Sequence, residues 1–144
     1  MIQSVTDSRS LGEMRGEQLK VPFYVGKPVA GAPYTPAIQS NGLIFVSGQI
    51  PISPETGRLI EGEFVEEVEQ CLQNLKRVIE ASGSSMEQVV KVIVYLRDME
   101  LFSQMNEVYR NHFGEVKPAR TCVGVSALPL NAWIEIEAIA EAGS

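Results

Sequence analysis

The clearest pattern of apolar positions lies in residues 62–81, where apolar side chains recur at steps of three and four. They are Phe64, Val68, Cys71, Leu72, Leu75, Val78 and Ile79. This spacing predicts an amphipathic helix with one buried face. Glutamates in its first turns suit the helix dipole, and Gly83 follows it as a helix-ending residue.

Runs rich in β-branched and aromatic residues predict strands on both sides of this helix. Before the helix, Ala37–Ser40 and the sequence LIFVSGQI flank Asn41-Gly42, a dipeptide typical of tight hairpin turns. After the helix, residues 89–97 predict a further strand and residues 100–113 a second helix.

The segment 118–140 predicts two more strands joined by a short connection, which we interpret as a hairpin. Side chains alternate across a strand, so Arg120 and Cys122 share one face of the first strand. Glu135 and Glu137 likewise share one face of the second. A tight turn between the strands places Cys122 across from Glu135 and Arg120 across from Glu137.

The resulting order, β-β-α-β-α-β-β, predicts an α+β fold with two helices packed on one face of a mixed sheet. At 144 residues the chain is expected to form one domain, over 31–144, preceded by a polar N-terminal extension over 1–30. Two helices leave the second face of the sheet uncovered. Because that face carries apolar residues, we expect homo-oligomerisation to cover it.

Composition narrows the classes of function. The net charge of -6 makes nucleic-acid binding improbable, since no basic run offsets it. Two distant cysteines and one histidine provide no usual metal-ligand set, so neither a zinc site nor a dithiol redox centre is expected. No apolar run is long enough to span a membrane and no secretory signal is present, which favours a cytoplasmic location, with a mitochondrial one as the alternative.

Arg120 is the main chemical candidate, because a guanidinium fixed on a strand can bind a planar carboxylate with two hydrogen bonds. Gly124 would keep the same face open for a ligand. The alternative is a structural Arg–Glu ion pair across two strands. Cys122 is a candidate nucleophile, but the sequence offers no activating base for its thiol. The other interpretation is that Cys122 is a small, buried core residue. Ser47 lacks a nucleophile motif and is expected to donate a hydrogen bond in a turn.

Several stretches together resemble the RidA (YjgF) family of reactive-intermediate deaminases over roughly 33–140. They are PYTPAI, IFVSGQIP, LQNLKRVIEASG, VVKVIVYLRDM, MNEVYRNHFG and PARTCVGVSALP followed by IEIEAIA. The resemblance implies a chorismate-mutase-like fold and a homotrimer with clefts between subunits. It also implies hydrolysis of 2-imino acids, such as 2-iminobutanoate and 2-iminopropanoate, to 2-oxo acids and ammonia, without a cofactor.

The resemblance also implies roles for single residues. Arg120 would hold the substrate carboxylate, Glu135 would orient or activate water, and the two would form one site. The backbone at Cys122 would contact the reacting end of the substrate. The remaining positions implied to line the cleft, some from the neighbouring subunit, are Tyr34, Ser47, Gly48 and Asn106.

Two other functions remain open at the level of the sequence. The same scaffold would serve as a 2-oxo acid binding or regulatory module, which Arg120 fits equally well. Relatives described as ribonucleases or translation inhibitors suggest a nucleic-acid function, against which the acidic charge weighs. Glu135 favours catalysis, because burying a lone carboxylate is costly unless it is used.

Overall fold

The structure, a computed structural model, describes residues 19–143. The strands are β1 (Val21–Phe23), β2 (Ala37–Ser40), β3 (Leu43–Gln49), β4 (Val89–Leu96), β5 (Ala119–Gly124) and β6 (Ile134–Glu141). The helices are α1 (Phe64–Ala81) and α2 (Phe102–Tyr109), and short 3-10 turns occupy Met86–Gln88, Met99–Leu101 and Pro129–Asn131. The predicted α+β fold, with helices on one face of a mixed sheet, is confirmed.

Both ends of helix α1 are fixed by local hydrogen bonds. At its start the Glu66 side chain accepts a hydrogen bond from the Glu63 backbone at 2.7 Å, one half of a capping box. At its end Gly83 has a φ of 85°, and its N–H donates to the Glu80 carbonyl while that of Ser84 donates to Ile79. This pair of bonds is the Schellman motif, so the predicted end of the helix at glycine is confirmed.

The predicted hairpin at Asn41-Gly42 is also confirmed. The two residues have φ values of 53° and 78°, as a type I′ turn requires, and Ser40 pairs with Leu43 across it. This hairpin sets the register of β2 and β3, which run antiparallel.

The predicted hairpin of the last two strands is wrong. The six-stranded sheet has the order β1-β2-β3-β6-β4-β5, so β6 lies between β3 and β4 and never pairs with β5. Strand β5 instead pairs in parallel with β4, to which α2 connects it. A helical crossover places the second strand parallel to the first, and the chain then returns to the middle of the sheet as an antiparallel strand.

One face of the sheet packs on the helices and forms the core. Ile134, Ile136, Ala138 and Ala140 of β6 point into this core and are almost fully buried. Within residues 19–143 no helix packs on the opposite face, and Phe45 is 43% exposed there. The expectation of an uncovered, partly apolar face agrees with the structure. That further copies of the chain cover this face stays a prediction.

Most of the predicted extension over 1–30 lies outside the described residues. Within it, Val21–Phe23 forms the edge strand β1, antiparallel to β2. Among residues 19–143 no helix is both long and apolar enough to cross a membrane.

Candidate functional site

A cavity of about 660 Å³ opens where strand β3 ends. The pairing of β3 with β6 shifts register between Val46 and Gln49, so the strand bulges at Ser47 and Gly48. Four residues predicted to line a cleft do line this cavity, namely Tyr34, Ser47, Gly48 and Glu135.

Ser47 fixes the loop that carries Tyr34. Its hydroxyl donates to the Thr35 carbonyl at 2.6 Å, and its N–H donates to the Pro36 carbonyl at 2.9 Å. The expected turn-stabilising role of the Ser47 hydroxyl agrees with this contact. Tyr34 is thereby held at the mouth of the cavity with 65% of its surface exposed.

Gly48 makes room for the carboxylate of Glu135. A Cβ atom built on Gly48 would lie 1.9 Å from Glu135 Oε2, closer than any real contact allows. The carboxylate therefore rests directly against the backbone of the β3 bulge. A side chain at position 48 would therefore displace the Glu135 carboxylate from this place, whereas the φ of Gly48 is not in the left-handed region.

Glu135 lies in an environment that disfavours its charged form. Burial raises its pKa, and the like charge of Glu137 two residues along raises it further. Glu137 is itself held by the Tyr95 hydroxyl, which donates to Oε1 at 2.6 Å. That hydrogen bond is the main cause that raises the pKa of Tyr95 to about 12. A carboxylate with a raised pKa is a stronger base than one in water.

Arg120 lies on a different surface, at the edge strand β5 beside helix α2. Its Nη1 donates to Asn106 Oδ1 at 2.8 Å, and its Cζ lies 4.7 Å from the centre of the Tyr109 ring and 5.5 Å from that of Phe102. Within residues 19–143 no carboxylate lies within 4 Å of the guanidinium. The alternative of an Arg120–Glu137 ion pair is therefore wrong for the described chain.

Cys122 shares this face with Arg120. Burial raises the pKa of its thiol more than the charge of Arg120 lowers it, so the side chain is protonated at neutral pH. The expectation that Gly124 keeps this face open is wrong. A Cβ atom there would lie 2.8 Å from Met99 Cγ, so Met99 already fills the space.

The candidate residues thus form two groups on opposite faces of the sheet. Arg120 pairs with Val92 in β4, which faces the helices, whereas Tyr95 pairs with Glu135 and faces away. The expected placement of Arg120 across from Glu137 is wrong because β5 and β6 are not neighbours. One chain alone therefore does not bring Arg120 and Glu135 together.

The cavity also contains residues that were not predicted. Asn74 of α1 is 5% exposed, and its Nδ2 donates to the carbonyls of Ile50 and Ile52, which fixes the chain that leaves β3. An asparagine within the apolar stripe of a helix was the available signal for this role. Leu130, on the far rim, gave no signal in the sequence.

Across residues 19–143, no cluster of three His, Cys, Asp or Glu side chains is placed to hold a metal ion.

Comparison with known proteins adds an independent line of evidence. Residues 26–142 match the family model described as endoribonuclease L-PSP. The chain is 48% identical over 121 residues to a RutC family protein of Pyrococcus horikoshii, covering 84% of this chain and 96% of that protein. It is 42% identical to Reactive Intermediate Deaminase A, chloroplastic, of Arabidopsis thaliana, covering 78% of this chain and 60% of that protein.

Solved structures agree with these matches. Yeast Mmf1 superposes with a TM-score of 0.80 at 43% identity, covering 85% of this chain and 98% of that one. E. coli TdcF, solved with bound serine, superposes with a TM-score of 0.77 at 32% identity, with coverage of 85% and 98%. Since one relative is named chloroplastic, the cytoplasmic location of this chain stays a prediction.

Proposed function

Because the chain belongs to the endoribonuclease L-PSP family, which includes the YjgF/RidA proteins, we propose that it hydrolyses 2-imino acids to 2-oxo acids and ammonia. Its substrates would be 2-iminobutanoate and 2-iminopropanoate, which form when enamines released by pyridoxal-phosphate dehydratases tautomerise. The chain would act as a homotrimer and would need no cofactor.

The observation that carries this proposal is the state of Arg120. Its guanidinium is stacked on Tyr109 and oriented by Asn106, and no carboxylate in the described part of the chain neutralises it. An oriented cation of this kind fits a small carboxylate with two parallel hydrogen bonds. The serine bound to TdcF, a relative at 32% identity, is likewise a small amino acid.

Glu135 would supply the second part of the reaction. With the substrate carboxylate held by Arg120, water attacks the C2 carbon of the protonated imine while Glu135 accepts one of its protons. A tetrahedral carbinolamine forms. Glu135 then returns the proton to the amine nitrogen. As the C–N bond breaks, the carbinolamine hydroxyl gives its proton to Glu135 and becomes the carbonyl of the 2-oxo acid. The released ammonia takes this proton and leaves as ammonium, which restores the ionised carboxylate.

A shared site follows from the geometry that these roles require. Because Arg120 and Glu135 face opposite sides of one sheet, a site that uses both must take them from two copies of the chain. The cavity with Tyr34, Ser47, Gly48 and Glu135 would be one wall, and the surface with Asn106, Arg120 and Cys122 would be the other. The partly apolar, uncovered sheet face supports assembly of this kind.

The test generates 2-iminobutanoate from 2-aminobutanoate with an amino-acid oxidase and measures ammonia and 2-oxobutanoate. We expect the wild type to exceed the rate in buffer and Arg120→Ala to lose at least about a hundredfold in kcat/KM, as loss of a charge-assisted double contact implies. Arg110→Ala is the matched control, since that side chain is 61% exposed and, among residues 19–143, its one ion pair is with Glu107.

Three outcomes separate the proposal from its rivals. A wild-type rate equal to that of buffer would refute the deaminase function. Tight binding of 2-oxobutanoate without turnover would instead identify a binding module. Cleavage of RNA by the purified protein, abolished by Arg120→Ala, would support the nuclease activity that the family description names, although the net charge of -6 opposes it.

A further inference from the structure

Leu130 has an unusual backbone for an apolar residue. Its φ is 55° and its ψ is 21°, in the left-handed region that glycine and asparagine tolerate and leucine does not favour. Asn131, the next residue, has a φ of 63° and belongs to a residue type that accepts it. A strained residue of this kind persists only where surrounding contacts fix it, and such residues concentrate at functional sites.

The contacts that fix this loop come from beneath it. Arg97 Nη1 donates to the Asn131 carbonyl at 2.9 Å and also contacts its side-chain oxygen. The Arg97 guanidinium lies 3.7 Å from the centre of the Trp133 ring. The backbone N–H of Arg97 donates to the Trp133 carbonyl at 3.0 Å. These contacts therefore hold the backbone of the loop at residues 130–131 in its observed conformation.

This loop exposes a large apolar side chain to the cavity. Leu130 is 66% exposed and lines the same cavity as Glu135. Ile50, Ile52 and Pro129 also contribute apolar surface to that cavity. The cavity thus combines Glu135 and other polar side chains, among them Arg77 and Asn74, with an aliphatic wall, and Leu130 is the part of that wall with a strained backbone.

We propose that Leu130 contacts the side chain of the bound 2-imino acid and selects substrates whose side chain is apolar. This inference rests on the proposed function for the identity of the substrate. With the reacting carbon at Glu135 and the carboxylate at Arg120, the aliphatic wall is the apolar surface of the cavity that would be left for the side chain on C2. An apolar contact of this kind discriminates between substrates that differ by one or two methylene groups.

The test compares imines made in situ from alanine and from norvaline, whose side chains are methyl and propyl. In Leu130→Asn, which suits the left-handed backbone, we expect kcat/KM for the norvaline imine to fall at least about fivefold relative to the alanine imine. Leu130→Gly, which removes both side chain and strain, should show the same change in ratio. Val116→Asn alters a residue that is 86% exposed and outside the cavity lining, and should leave the ratio unchanged.

A binding measurement separates this inference from the proposed function. Titration calorimetry with pyruvate and 2-oxopentanoate measures binding without turnover. If the wild type hydrolyses imines but neither the rate ratio nor the affinity ratio depends on Leu130, the inference fails and the function stands. If no imine is hydrolysed but the ratio of the affinities for pyruvate and 2-oxopentanoate depends on Leu130, the deaminase function fails and the role of Leu130 in selecting apolar side chains holds.

The assembly of the variants provides the last check. Sedimentation at equal protomer concentration should give the same mass for wild type, Leu130→Asn and Leu130→Gly. If both variants dissociate, Leu130 packs between copies of the chain, and its role in selecting substrates is overturned.

Discussion

At the scale of single residues, the environment of Glu135 is built from two elements. The β3 bulge brings the backbone of Gly48 against the carboxylate, and β6 places Glu137 on the same face two residues away. The first excludes water and the second adds a like charge, and both raise the pKa of Glu135. Glu137 therefore acts on the proposed base without being part of the proposed reaction.

This arrangement makes the pH dependence of the reaction predictable. The base must be ionised, so kcat/KM should fall as the pH drops through the pKa of Glu135, which lies above its ordinary value of 4.5. In Glu137→Gln the like charge is gone and the pKa of Glu135 falls. We expect the acid limb of the pH profile to move to lower pH, and the ¹³C resonance of the Glu135 carboxyl to titrate lower by the same amount.

Tyr95→Phe is the matched control for this shift, because it removes the hydrogen bond to Glu137 but leaves the charge. Its acid limb should stay closer to that of the wild type than the limb of Glu137→Gln. An unmoved limb in Glu137→Gln, with the carboxyl resonance shifted, would show that another group controls the acid side of the profile.

At the scale of elements, the ends of helix α1 are set by its own sequence. Gly83 has a φ of 85°, and no atom lies within 4 Å of the position its Cβ would take, so only backbone strain opposes substitution. Gly83→Ala should therefore lower the free energy of unfolding by about 1 kcal/mol. Gly83→Asn, which tolerates this backbone, should lose less than half as much.

Denaturant unfolding at one fixed protomer concentration checks this prediction, since assembly makes stability concentration-dependent. An alanine variant as stable as the wild type would mean that the Schellman motif contributes little to the end of the helix.

The elements that could be predicted from sequence are those defined by local signals. Helix α1 follows from its apolar spacing, and the β2–β3 hairpin from Asn41-Gly42, because both patterns act over a few residues. The position of β6 was mispredicted because consecutive strands usually pair and the connection looked short. Helix α2 between β4 and β5 was the signal for a parallel crossover, which leaves the last strand to pair elsewhere.

This error explains why the site was only partly predictable. Arg120 and Glu135 were found through a resemblance that depends on residue identity, which needs no topology. Their relative placement depends on which strands are neighbours, a long-range property that alternation along each strand does not encode. Leu130 was missed because its proposed role depends on its backbone conformation. In a sequence, glycine and asparagine are the residue types that indicate a positive φ, and leucine does not.

At the scale of the whole molecule, one chain presents two incomplete surfaces. Among residues 19–143, the cation in the lining of the cavity with Glu135 is Arg77 of α1, whose Nη2 donates to Asn74 Oδ1 at 2.7 Å. The surface with Arg120 lacks a carboxylate within the described residues. A shared site would bring Arg120, which has no carboxylate beside it in the described residues, to the carboxylate of Glu135, and this is the electrostatic complementarity expected of neighbouring copies in an assembly.

Mixed assemblies test whether the site is shared. Arg120→Ala and Glu135→Gln should each be nearly inactive alone. When the two are co-expressed with different tags and purified together, a site formed across an interface receives Arg120 from one copy and Glu135 from the other. With random mixing in equal amounts, about one quarter of the sites are then intact, so about one quarter of wild-type activity should return.

The control replaces the first variant by the double variant Arg120→Ala, Glu135→Gln, because its mixture with Glu135→Gln contains no intact carboxylate and should stay inactive. Failure of the first mixture to recover activity, in assemblies shown by sedimentation to contain both tags, would mean that the two groups do not act across an interface. Since β5 and β6 place them on opposite faces of one sheet, a site using both would then be untenable, and Arg120 would have to bind its ligand without Glu135.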